Sequence, residues 1–63
     1  MTKELKERNG IRVRELVRRT GWAHAQVNAE LNRLAGVERL DEATLRQLER
    51  RVSEADKWLT SLA

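Results

Sequence analysis

With no proline and only three glycines, Gly10, Gly21 and Gly36, this chain of 63 residues has few places at which a helix can stop. Glycine ends helices because it alone enters the left-handed conformation at no steric cost, so each of the three is a candidate boundary. Between them Ala, Leu, Arg and Glu dominate, and Phe and Tyr are absent, a composition that favours helix throughout. The expectation is an all-α, single small domain over residues 1–63, built from four helices, two short and two longer, with no sheet.

The boundaries follow from capping and periodicity. Thr2 is placed to cap a brief first helix containing Glu4, Leu5 and Arg8, which Asn9-Gly10 ends. A second short helix starts near Arg12 or Val13, buries Val13, Leu16 and Val17, and stops at Thr20-Gly21. From Ala23 the apolar positions Val27, Leu31 and Leu34 keep helical spacing until Gly36, which suits a left-handed cap. Asp41 then reads as the cap of a long last helix, about 42–60, with Leu40 and Leu45 set as a hydrophobic staple. Along that helix Leu45, Leu48, Val52, Ala55, Leu59 and Leu62 alternate steps of three and four, the spacing of a narrow packing seam. Arg46, Arg50 and Lys57 lie opposite it, with Glu49, Glu54 and Asp56 as helix-spaced partners.

A chain this short buries only about 60% of its unfolded surface, so its core is small. Without cysteine there is no disulfide or thiolate site to stiffen it, and stability has to come from helix packing or self-association. No apolar run approaches the roughly 20 residues of a membrane span, and nothing resembles a signal peptide, so a soluble cytoplasmic protein is expected. The formal charge is +3, and it is unevenly spread. Residues 1–40 carry nine Lys/Arg against five Glu, while residues 41–63 carry four against five Asp/Glu. Arg8, Arg12, Arg14, Arg18 and Arg19 crowd into twelve residues, a bias that suits bidentate contacts to phosphate or carboxylate, or a solvated helix face.

Two short amphipathic helices joined by a glycine turn, the first rich in arginine, resemble a helix-turn-helix over Val13 to Leu31, a unit extending to about residue 35. Gly21 stands at the turn, Leu16 and Val17 where the first helix packs, and Val27 where the second is anchored. Glu30 departs from the pattern, occupying a place where such units usually carry an apolar residue. On a wheel centred on Val27 the outward side is Ala25, Ala29 and Asn32, flanked by Gln26, Asn28 and Arg33. Small residues allow close approach to a surface and amides pair with adenine edges in a major groove, so base contact, protein contact and plain exposure all stay open. The resemblance implies DNA binding through this face, with Arg12, Arg14, Arg18 and Arg19 as phosphate anchors and His24 as a capping or phosphate contact.

A lone histidine without cysteine makes no structural zinc site, and no cofactor or small-molecule substrate is implied. Trp22, in the turn, is expected in the core. Trp58, at the edge of the seam, is expected half-exposed and forms with Leu59 and Leu62 a candidate partner-binding edge. No glycine-rich phosphate loop, ligand cluster or nucleophile–base pair is present in the sequence, so no catalytic activity is expected.

A narrower resemblance spans "RVRELVRRTGWAHAQVNAELNRLAGVERLDEATLRQLERRVSEADKWL", residues 12–59. It is similar to a small helical module near the C-terminus of some actinobacterial superfamily II (DEAD/DEAH-type) helicases and of related phage proteins. That likeness implies a DNA-associated accessory domain, with the motor motifs absent from this chain. The competing expectation is a helical protein-interaction or homodimerisation module meeting its partner through the seam from Leu45 to Leu62.

Overall fold

The computed structural model describes residues 2–63, and they form three α-helices: α1, Thr2–Thr20; α2, His24–Ala35; and α3, Leu45–Ser61. A single 3₁₀ turn, Leu40–Glu42, lies between α2 and α3. The domain is therefore all-helical, but the two short helices expected before residue 20 are one.

Gly10 does not break α1 because nothing at that point leaves helical geometry; the left-handed glycines are Gly21 and Gly36, at φ 77° and 71°. A glycine inside a helix costs about 1 kcal/mol relative to alanine. Asn9 helps to offset that cost. Its side chain is buried, donating to the Leu5 carbonyl one turn back at 2.9 Å and to the Leu48 carbonyl of α3 at 3.1 Å. An Asn-Gly pair that reads locally as a turn is thus held helical by a neighbouring helix. Met1 and the side chain of Thr2, the expected first cap, lie outside the described residues.

The link between α1 and α2 is three residues long. The Gly21 N–H donates to the Val17 carbonyl at 2.9 Å, and the Thr20 hydroxyl donates to Leu16 O while accepting the Trp22 N–H. At the end of α2 the Gly36 N–H donates to Arg33 O and the Val37 N–H to Asn32 O, the paired bonds of a Schellman motif, as the sequence suggested. The start of α3 differs from expectation. Thr44, not Asp41, caps it: the Thr44 hydroxyl accepts the Gln47 N–H at 3.1 Å and the Gln47 side chain accepts the Thr44 N–H at 2.9 Å. This reciprocal box satisfies two otherwise orphaned donors, which Asp41 in the 3₁₀ turn does not do. Gln47 Nε2 also donates to Gly36 O at 3.1 Å, tying the start of α3 to the end of α2. Leu40 and Leu45 are both exposed, so the expected staple is not formed.

Val13 and Leu16 of α1, Val27 and Leu31 of α2, and Ala55 of α3 make the apolar core, with Val17, Trp58 and Leu59 packed against it. The middle of the α3 seam is consumed inside the chain: Leu48 and Ala55 are buried, Val52 and Leu59 partly so, while Leu45 and Leu62 at its ends are exposed. Trp22 corrects the sequence reading. It is 42% exposed and stands edge-on to Trp58, ring centroids 5.2 Å apart at 71°, covering the core's rim instead of filling its centre. No helix of the described residues is long and apolar enough to cross a membrane.

Candidate nucleic-acid interface

The turn at Gly21 sets α2 across the core with Val27, Leu31 and Ala35 inward. Ala25 and Ala29, two turns of a small-residue stripe, are exposed. Gln26 is exposed too, but its Oε1 accepts the Ala23 N–H at 2.9 Å, so it serves the start of the helix. Ala23 precedes α2 without a side-chain acceptor, leaving the first amides of the helix open to outside partners. His24 is the first helical residue and exposed, and its carbonyl accepts from Asn28 Nδ2 at 3.1 Å. It does not cap the helix.

Asn28 and Asn32 are not free outward amides. Both are half-buried, and their side-chain oxygens accept from Arg51 of α3, whose Nη2 reaches Asn28 Oδ1 at 2.8 Å and whose Nη1 bonds Asn32 Oδ1. Arg51 Nε donates to Asn9 Oδ1 at 2.9 Å, so one guanidinium joins α3 to α1 and α2 together. Arg51 is 1% exposed and has no carboxylate partner among the described residues. Burial pushes its pKa below the usual arginine value. An amide held half-buried by a guanidinium is not free to turn its donor and acceptor together onto adenine, as the two-bond contact needs.

The arginines divide by position. Arg12 Nε meets Asp56 Oδ1 of α3 at 3.1 Å, on the side of α1 turned to α3. Arg18 forks onto Glu15 one turn earlier, Nε to Oε2 at 3.0 Å and Nη2 to Oε1 at 2.7 Å. Arg33 does the same with Glu30, at 3.0 Å and 2.5 Å. These bonds hold the Glu15 and Glu30 carboxyls below their usual pKa and raise that of Arg33. Arg14 and Arg19 are exposed and unpaired among the described residues. Arg14 lies beside Lys6 and His24 around one hollow, a grouping that includes two of the expected anchors and one cation the sequence reading left out.

At the other edge, Trp58 and Leu59 pack partly buried against the core, Trp58 half-exposed as expected, and Leu62 is exposed. Sequence reasoning also missed Arg51 and Asn9. A signal for the first existed: Arg51 falls three residues after Leu48 and four before Ala55, inside the apolar seam, where a solvated charge has no place. Asn9 carried no such signal, since Asn-Gly is also the commonest way to write a turn. Compared with protein-family models, with curated proteins and with solved structures, the chain finds no match.

Proposed function

We propose that this domain binds nucleic acid, duplex DNA above all, by laying α2 against a groove and gripping phosphates from α1. The supporting observation is the exposed Ala25–Ala29 stripe, which lets a backbone come close, with Arg14, His24 and Lys6 gathered to one side of it. Phosphate contacts position a protein on DNA, whereas base edges carry the sequence information. With the amides of Asn28 and Asn32 committed to Arg51, binding is mainly to the backbone and weakly selective for sequence. Such binding suits an accessory module beside a motor, the setting implied by the likeness to helicase-associated modules.

Titration of labelled duplex and single-stranded DNA at two salt concentrations tests this reading, because phosphate contact releases counterions and gives affinity a steep salt dependence. Arg14→Ala is expected to weaken binding to all sequences alike and to lower the salt slope by about one. Ala29→Glu sets a negative charge on the stripe while keeping a good helix former, so affinity falls and helicity stays. Unchanged duplex affinity in Ala29→Glu overturns the reading.

A protein-interaction role draws support from a different observation, the exposure of Trp22 and Leu62 at one end of the molecule. If that end pairs two copies, the thermal midpoint rises with protein concentration.

A further inference from the structure

Gly10 leaves α1 without a side chain beside an open hollow of about 490 Å³, bordered by α1, the start of α2, the 3₁₀ turn and α3. Lys6, Arg14 and His24 stand around it, and the buried Arg51 lies against it. Val13, Leu40 and Leu48 supply an apolar wall. The acidic group there is Asp41, which is exposed and faces Arg39 at 3.7 Å.

We propose that this hollow binds a phosphomonoester, its phosphate held by Lys6, Arg14 and His24 over the buried charge of Arg51 and its organic body set against the apolar wall. Charge is the first reason. Buried ions are ordinarily paired with an opposite charge, yet Arg51 meets three neutral amide oxygens. Lys6 and Arg14 add two more cations with no acid partner among the described residues. Three cations set against one carboxylate already facing an arginine favour a dianion.

Donor count is the second reason. The free donors outnumber what the two oxygens of a carboxylate accept, and the three terminal oxygens of a phosphomonoester match them better. Size is the third. The volume lies in the range of small-molecule sites and exceeds a bare phosphate, so the group arrives attached to a body such as a nucleoside. That body belongs either to a free mononucleotide or to the phosphorylated end of a nucleic-acid strand. Lys6, Arg14 and His24 serve both readings, but duplex binding also needs the Ala25–Ala29 stripe, which the hollow does not use.

The test follows the arginine Nε–Hε resonances of the isotope-labelled full chain during titration with AMP, adenosine, and a short oligonucleotide bearing either a 5′-phosphate or a 5′-hydroxyl. Saturable shifts at Arg51 and Arg14 are expected with the two phosphorylated probes, at least about tenfold tighter than with their unphosphorylated counterparts, as the loss of charge-assisted bonds requires. Tighter binding of the 5′-phosphorylated strand than of AMP assigns the site to strand ends, and the reverse assigns it to a mononucleotide. Lys6→Gln is expected to weaken AMP several-fold, Asp41→Asn to strengthen it, and Gly10→Leu to obstruct the site. The first two lie at the surface, so the test survives if Gly10→Leu fails to fold. Equal affinities for AMP and adenosine, or AMP binding indifferent to both Lys6→Gln and Asp41→Asn, overturns the proposal. Ala29→Glu distinguishes the two readings: loss of duplex binding with AMP binding retained shows that the hollow takes a phosphate without the stripe, and failure of a 5′-hydroxyl duplex to bind counts against duplex binding alone.

Discussion

Two layers meet inside this small domain and are held by different physics. Toward the C-terminal halves of α1 and α3, Leu16, Val27, Leu31 and Ala55 exclude water completely, with the Trp22–Trp58 pair at their rim. Toward the N-terminal halves of those helices, Arg51 binds Asn9, Asn28 and Asn32, and Asn9 also holds Leu48 O. The apolar layer stabilises without direction, at about 1.5–3 kcal/mol for each large side chain buried. The polar layer gains less on balance, because several kcal/mol of arginine desolvation stand against its hydrogen bonds. Yet it is directional. A guanidinium bonded at once to α1 and α2 constrains the rotation of each helix about its axis more tightly than leucine contacts do. The contrast separates what makes the chain collapse from what selects one packing.

The sharpest way to break this contrast is Arg51→Ala, which strips three amide oxygens of their partner and opens a cavity. A loss of about 3–5 kcal/mol is expected in chemical denaturation, from unsatisfied amide oxygens at about 1–3 kcal/mol each and from the cavity left behind. Arg51→Lys recovers little, because one ammonium cannot present the planar fork that reaches three oxygens on two helices. A loss below about 1 kcal/mol in Arg51→Ala shows the polar layer to be dispensable.

Leu31→Ala, in the apolar layer, is expected to cost about 2–4 kcal/mol through lost burial and residual cavity. The layers then differ in coupling: Arg51→Ala combined with Asn28→Ala falls short of the sum of the single losses, while either combined with an exposed change such as Arg46→Ala adds simply. Additivity of the Arg51 and Asn28 changes removes the case for a network.

Gly10→Ala sharpens the comparison in the opposite direction. An added Cβ meets Arg14 Nη1 at 3.9 Å, an ordinary contact, and φ there is not left-handed. Stability is expected to rise by about 0.5–1 kcal/mol, measured as an increased midpoint. A decrease places Gly10 under a packing constraint that the surrounding residues do not reveal.

The smallest effect concerns the exposed pairs. Because Arg18 and Arg33 lower the folded-state pKa of Glu15 and Glu30, these carboxylates contribute above their ordinary pKa, and the contribution disappears as pH falls through the lowered values. The double change Glu15→Gln with Glu30→Gln therefore flattens the acid arm of the stability–pH curve slightly and leaves neutral stability nearly unaltered. The same change frees Arg18 and Arg33, so duplex affinity is expected to rise at neutral pH. An acid arm that keeps its slope shows that the pairs do not persist in solution.

The helical class, the left-handed stops at Gly21 and Gly36 and the inward positions Val13, Leu16, Val27, Leu31, Leu48 and Ala55 were legible in the residues, because periodicity and glycine chemistry act over one or two turns. The start of α3 was misplaced by the local signal at Asp41, although Thr44 and Gln47 carry the spacing of the box that caps it. What the residues did not disclose depends on partners far along the chain. Asn9-Gly10 reads as a turn until Leu48 O and Arg51 are brought beside it, from 39 and 42 residues away. Asn28 and Asn32 read as an open recognition face until the same arginine occupies their oxygens. Local sequence thus fixes where helices form and which stripe is apolar. Tertiary packing decides which polar groups are left free, since the fate of a donor or acceptor is settled only when its partner arrives.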